Sequence, residues 1–277
     1  MNVAIFTSYA LRHRAFAAIA CKSKTLNVVA VFHEEGKPLS ELVQCNPKAD
    51  LERQHLSGRD QAEQDFFGLF LENQPLPTNI IKAVPRGWFS TQQCIDELRS
   101  CEIEIILVYG TSIIKGAIIK EYENKILNVH LGLSPYYRGS GTNYFPFVNG
   151  EPEYCGATFM YLDSGVDTGE IIHQIRPYIL KTDSFHQLSN RFLISVFKTY
   201  VAVAESYAKL ESPPRISPSQ EINRTRRLYK NVDFTRESVE SLYANIDSGM
   251  LAKYLDSYHE RNCLVPLIQQ KFLLEEA

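Results

Sequence analysis

An amide, an imidazole and a carboxylate are the groups of this chain best suited by type and order to do chemistry together. The first two lie in Leu127-Asn128-Val129-His130-Leu131-Gly132-Leu133-Ser134-Pro135-Tyr136-Tyr137-Arg138-Gly139, and the third, Asp167, in Leu162-Asp163-Ser164-Gly165-Val166-Asp167-Thr168-Gly169. Each stretch follows an apolar run, as when an α/β enzyme mounts a site on its strand ends. When an amine attacks an acyl carbon, negative charge grows on the carbonyl oxygen and positive charge on the nitrogen. The site therefore needs a fixed donor and a proton acceptor. Asn128 offers an N–H that never titrates. If Ile126 to His130 is a strand, its side chains alternate, so Ile126, Asn128 and His130 share one face and Leu127 and Val129 take the other. Gly165 and Gly169 permit a tight loop around Asp167, although its distance from the pair does not follow from the sequence.

Taken singly, these residues have ordinary structural meanings: a histidine after a strand, an aspartate capping its own turn. Their conjunction and order carry more. Asn-x-His closing an apolar run, followed by Ser-Pro-x-Tyr-Arg-Gly and Gly-x-Asp-Thr-Gly-x-Ile-Ile, resembles the signature of the formyltransferases that use 10-formyltetrahydrofolate. That family includes glycinamide ribonucleotide, methionyl-tRNA and sugar-nucleotide N-formyltransferases. The resemblance implies that Asn128 polarises the formyl oxygen, that His130 does the same and takes part in proton transfer, and that Asp167 sets the state of His130. It also implies that main-chain atoms of Tyr109, Gly110 and Thr111, after the run Ile105 to Val108, bind the pterin ring. The loop holding Asp163 and Gly165 would form the opposite wall. The family's H-P-S-L-L-P appears here as His130-Leu131-Gly132-Leu133-Ser134-Pro135. This departure falls on the acceptor side, where Tyr137, Arg138, Gly139, Ser140, Thr142 and Asn143 are the candidate substrate-binding residues. They suit a hydroxylated, aromatic-stacked ligand such as a nucleotide-linked amino sugar, and equally an ordinary surface turn. The segment Arg224 to Arg227 is a candidate pyrophosphate anchor, or else a solvated charge run.

Positioning these groups requires a full α/β domain, and 277 residues with 44% hydrophobic content can fill its core. Asn2–Thr7 and Asn27–Phe32 read as strands around an Ala-rich helix over 12–22, a βαβ unit. Its first turn lacks the glycines of a dinucleotide fingerprint, which argues against NAD. Further strands are expected over 79–84, 103–109 and 125–130, with helices over 91–100 and 112–122 between them. Residues 36–73 form a charge-rich excursion with a helical centre over 60–71 and no legible role. Antiparallel strands are expected over 157–162 and 169–180, then a long helix over 182–210 capped by Thr182 or Asp183. The fold class is thus a Rossmann-like formyltransferase domain with a mostly parallel sheet, residues 1–211. A small, mainly helical C-terminal segment follows, residues 212–277, with Thr235 capping a helix to Asn245 and a second helix near 250–260.

The expected activity is N-formyl transfer from 10-formyltetrahydrofolate to a small-molecule amine. Methionyl-tRNA formyltransfer is disfavoured by the short, charge-balanced tail and formyltetrahydrofolate hydrolysis by the lack of a domain before the first strand. Glycinamide ribonucleotide formyltransfer is a further alternative, and a folate-binding sensor without turnover is disfavoured by the intact Asn128, His130 and Asp167. A net charge of −3 gives no reason to expect a nucleic-acid partner. No metal is expected, since no His or Cys stands at a zinc-type spacing. The six cysteines form no C-x-x-C pair, and scattered thiols fit a reducing compartment. No basic leader or apolar run of about 20 residues points to a membrane, so the cytoplasm is the expected location. Any further assembly is expected to be a homodimer.

Overall fold

The computed structural model describes residues 1–36, 49–209, 214–217 and 227–274. The first half of the chain alternates strands and helices: β1 (Asn2–Thr7), α1 (Leu11–Ala20), β2 (Asn27–Glu34), α2 (Asp50–Asn73), β3 (Ile81–Val84), α3 (Gln92–Ser100), β4 (Ile105–Val108), α4 (Ala117–Glu121) and β5 (Ile126–His130). A short strand, β6 (Tyr137–Gly139), and a turn of helix, α5 (Phe145–Val148), precede β7 (Ala157–Tyr161), β8 (Ile171–Ile175) and the long α6 (Phe185–Lys209). The sheet runs β3-β2-β1-β4-β5-β7-β8. Its first five strands are parallel, and β7 and β8 are antiparallel to their neighbours.

Strands rich in Val, Ile, Leu and Phe bury both faces of such a sheet, and the period of two sorts them. Val3, Ile5, Ile105, Leu107, Leu127 and Val129 pack with Phe16, Phe67 and Phe197 from α1, α2 and α6. Ala4, Phe6, Ile106, Val108 and Ile126 pack with Ile95, Leu98 and Ile118 from α3 and α4. Fully buried Tyr200 of α6 ties β4 to β5, its hydroxyl accepting from Val108 N (3.0 Å) and donating to Leu127 O (2.6 Å). That fixes the strand tip beside Asn128.

The parallel core thus has the expected architecture, with differences at element ends. The helix expected over 112–122 contracts to Ala117–Glu121, because Gly116 at φ +83° stops it from starting earlier. The excursion's helix extends to 24 residues, since Leu56, Phe67 and Leu71 bury one side of it against the domain. Neither Thr182 nor Asp183 caps α6. Ser184 Oγ accepts from Gln187 N (3.2 Å), while Asp183 holds Arg191 (2.6 and 2.8 Å) and Leu180 N (2.7 Å).

Beyond residue 226 come β9 (Arg227–Tyr229), α7 (Arg236–Asp247), α8 (Met250–Asp256) and α9 (Tyr258–Cys263). Thr235 caps α7 as expected, and the second helix is broken in two at Ser257. Val239, Leu242, Leu251 and Tyr254 share one apolar cluster with Leu133, Tyr137 and Phe147. The strand β9 pairs in parallel with β6. Among the described residues no helix is long and apolar enough to cross a membrane.

Candidate active site

Asn128 and His130 end β5 on the face shared with Ile126, as strand alternation requires, and both line a cavity of about 1000 Å³ at the carboxyl ends of the strands. The side-chain amide of Asn128 is half-buried and makes no hydrogen bond to another described residue. His130 is 6% exposed and held from both sides: Nε2 lies 2.7 Å from Tyr137 O, and Nδ1 lies 3.3 Å from Asp167 Oδ1. Both ring nitrogens thus face oxygen acceptors.

Asp167 reaches His130 because its loop is short at the base and twisted at the tip. Asp163 accepts Gly165 N (3.0 Å) and Thr168 Oγ1 (2.8 Å), and Tyr161 N bonds to Glu170 O (3.0 Å), closing the loop. Asp167 itself sits at φ +51°, a left-handed conformation that aspartate tolerates better than most residues. Its second oxygen accepts Gly139 N (2.8 Å), so one carboxylate joins the imidazole to the loop that carries β6.

The strand-to-loop turn after His130 is fixed from below. Thr158 Oγ1 donates to Gly132 O (2.7 Å) and accepts Ser134 N (3.0 Å), and Gln174 Nε2 donates to Ser134 O (2.8 Å). A Cβ on Gly132 would stand 2.7 Å from both His130 Nε2 and Thr142 Cβ, so only glycine fits beneath this imidazole.

On the other side of the trio, Glu34 at the end of β2 is 8% exposed and holds two loops. Its carboxylate accepts Gly87 N (2.7 Å), Ser112 N (2.8 Å) and Ser112 Oγ (2.5 Å). Tyr109 spends both main-chain groups on β1, through Phe6 O (3.0 Å) and Thr7 Oγ1 (2.8 Å). Gly110 and Thr111 have no such partners among the described residues, so they offer the free main-chain donors and acceptors that a pterin edge needs. The donor set thus fits the heterocycle on this wall, with the Tyr109 side chain turned toward α1 and α6.

These features have counterparts among known proteins. A family model described as formyl transferase matches residues 1–204. The chain belongs to the formyl transferase family. It is 41% identical over 81 residues to methionyl-tRNA formyltransferase of Desulforamulus reducens, covering 29% of this chain and 25% of that protein. To the chloroplastic phosphoribosylglycinamide formyltransferase of Vigna unguiculata it is 29% identical over 132 residues, 45% of this chain and 41% of that one. The chain thus spans less than half the length of these two curated relatives. The solved phosphoribosylglycinamide formyltransferase of Anaplasma phagocytophilum has the same fold, with a TM-score of 0.54, 17% identity and coverage of 83% of this chain and 98% of that one. So has a 4-N formyltransferase from Francisella tularensis, with a TM-score of 0.52, 16% identity and coverage of 87% and 86%.

Within this formyl transferase fold the residues singled out in the sequence separate into two groups. Asn128, His130, Asp167, Tyr109, Gly110, Thr111, Asp163 and Gly165 all line the one cavity, as do Gly139, Ser140, Thr142 and Asn143. Tyr137 and Arg138 do not. Tyr137 is fully buried, its hydroxyl shared among Glu151, Asn149 and Arg227, so it braces the loop. Arg227 pairs with Glu151 (2.6 and 2.9 Å) in that same brace and does not line the cavity, which removes it as a pyrophosphate anchor. Arg224 to Arg226 lie outside the described residues. Sequence reasoning missed the wall that faces the trio: Arg12 and His13 of α1, His55, Arg59 and Glu63 of α2, and His186 of α6. One signal was available, since His55, Arg59 and Glu63 recur every fourth residue, the period of a helix face.

Proposed function

We propose that the protein transfers the formyl group of 10-formyltetrahydrofolate to the amine of a small molecule, a nucleotide-linked amino sugar in our reading. The observation that carries it is the meeting of Asn128, the His130–Asp167 pair (3.3 Å) and an open cavity at one strand tip. The folate supplies an activated formyl carbonyl. Asn128 donates its unspent N–H to the oxygen that becomes negative as the amine attacks, where a preorganised donor is worth most. When Nε2 exchanges its contact with Tyr137 O (2.7 Å) for the substrate, His130 donates to the same oxygen or takes the amine proton, and Asp167 keeps the ring oriented through Nδ1. A cavity of about 1000 Å³ is at the upper end of the roughly 300–1,000 Å³ usual for small-molecule sites, in keeping with two bound molecules.

A small acceptor is supported by the aromatic lining of the cavity, to which Tyr144, Phe145, Phe185, Tyr229 and Phe234 contribute. Rings so placed suit a base or sugar face. The relatives named methionyl-tRNA, phosphoribosylglycinamide and 4-N formyltransferase all point to amine acceptors of different size. The test is a screen of amino-sugar nucleotides with 10-formyltetrahydrofolate, following tetrahydrofolate release. Release that depends on one such amine is the expected result. Release without any amine would make the protein a hydrolase, and none under any condition would leave only binding.

A further inference from the structure

The wall formed by α1 and α2 presents polar groups that the catalytic trio and the folate side do not use. Glu63 is 5% exposed, ion-paired with Arg12 Nη1, and its Oε1 lies 3.7 Å from Arg59 Nε. Arg12, Arg59 and Glu63 all line the cavity, whereas Asp60, the other partner of Arg59, is exposed and does not. Water screens that outer pair, so this wall offers two guanidinium groups and one buried carboxylate, while Asp163, Asp167 and Lys230 lie on other parts of the lining. The nearby histidines add no charge at neutral pH. Burial, then the neighbouring Arg12 and Arg59, holds His13 well below its usual value. Burial also lowers His55 to about 3 and His186 to about 4.

A second observation is independent of the charges. Tyr109 is 3% exposed and lines the same cavity, yet its buried hydroxyl, near the Arg12 guanidinium, has no acceptor for its proton. Burial pushes it up to about 12, so it keeps that proton and stands as an unspent donor. A buried donor left unsatisfied is unfavourable until a ligand meets it. Donors that arrive from α1, from α2 and from the end of β4 suit a tetrahedral oxyanion with several terminal oxygens. A planar carboxylate is already satisfied by one guanidinium fork.

We propose that Arg12, Arg59 and the Tyr109 hydroxyl bind a phosphate group of the formyl acceptor, and that Glu63 orients the two guanidinium groups. The inference rests on the acceptor entering this cavity. It stands in place of Arg227, which is paired with Glu151 outside the cavity.

The test is calorimetric titration of the full chain with inorganic phosphate, ribose 5-phosphate, UDP, dTDP and, as a planar control, succinate. Saturable binding of a phosphate ester is expected. Its Kd should weaken about tenfold or more in Arg59→Gln and in the charge-removing pair Arg12→Gln with Glu63→Gln, as for loss of a charge-assisted bond. The paired change keeps a hydrogen-bonding contact of similar shape and so leaves no buried charge alone. Tyr109→Phe should weaken binding without lowering the melting temperature, because its hydroxyl has no acceptor to lose. Tetrahydrofolate affinity should be unchanged in Arg59→Gln. Tighter binding of ribose 5-phosphate would mark a monoester acceptor, and tighter binding of UDP or dTDP a nucleotide-linked one. The site is overturned if none of the phosphates binds, if succinate binds equally well, or if the variants bind as the parent does. Formyl transfer to an unphosphorylated amine at a rate unaffected by these variants would also overturn it and leave the transfer reading standing. Phosphate binding that behaves as expected, with no formyl transfer to any amine, would leave the site and sink the transfer reading.

Discussion

The strand tip and the wall opposite it are built in contrasting ways. The tip takes Asn128 and His130 from one strand and Asp167 from one closed loop, so most of its geometry follows from local alternation and turn chemistry. The wall draws on α1, α2, α6 and the β6–β9 pair, elements far apart in the chain and joined by packing, by the Arg12–Glu63 ion pair and by the β6–β9 ladder. In our reading chemistry is placed on short-range structure, and recognition on long-range assembly. If so, damage to the tip should appear in kcat and damage to the wall in the acceptor's KM.

The largest effects belong to the tip. Asn128→Ala should lower kcat by roughly 10²–10³-fold, the usual loss for one oxyanion donor, and His130→Ala by at least about 10²-fold. Asn128→Asp should be worse than alanine, because it sets a like charge against the growing one. Steady-state kinetics with a formyl acceptor would check this, and parental kcat in His130→Ala would break the assignment. Asp167→Asn comes next, at about tenfold to 10²-fold in kcat, because it removes the charge beside the imidazole and keeps an oxygen for Gly139 N.

Gly139→Ala probes the wall. Gly139 sits at φ +90°, and a Cβ there would stand 2.1 Å from Tyr229 O, so β6 and β9 must part. A loss of about 1–3 kcal/mol of stability is expected from the backbone conformation, together with a raised acceptor KM and a much smaller change in kcat. Equal falls in kcat and kcat/KM would show that tip and wall are not separable.

Acid should loosen the wall. His55 and His186 are neutral when folded, lowered by burial to about 3 and about 4 from an ordinary 6.5. Between those values and 6.5 the unfolded chain binds more protons, so stability is full above about pH 6.5 and falls as pH drops. Each group weakens folding by up to about tenfold per pH unit across that window. Melting temperatures from pH 7.5 down to 5 would follow it, and a flat profile would contradict the burial of these rings. The smallest expected effect is none: exhaustive chelation should leave activity unchanged, since the chemistry assigned to Asn128 and His130 needs no Lewis acid. Among the described residues no group of three metal-binding side chains comes together.

Much of this molecule was legible because its signals are local. Short continuous apolar runs located β1, β2, β4 and β5 to within a few residues. Asn-x-His could be assigned to one face because a strand leaves no other choice. Asp163 likewise announces a tight turn through its own side chain, and Gly165 and Gly169 do so by having none where Thr168 and the Tyr161 carbonyl come close. What failed was the reading of residues whose role depends on a distant partner. Tyr137 and Arg227 looked like ligand-binding groups, and each is spent on Glu151 across the β6–β9 pair. Ser184 rather than Asp183 caps α6, because Arg191 claims the aspartate.

The sequence by itself determined the parallel core, the candidates Asn128, His130 and Asp167, and the chemistry their types imply, because alternation, capping and turn propensities act over a few residues. Only the tertiary structure decided that α2 turns His55, Arg59 and Glu63 toward the same cavity, and that Asp167 comes within reach of His130. Those contacts join segments far apart in the chain, and packing against a common core, not local preference, selects which of many possible neighbours meet.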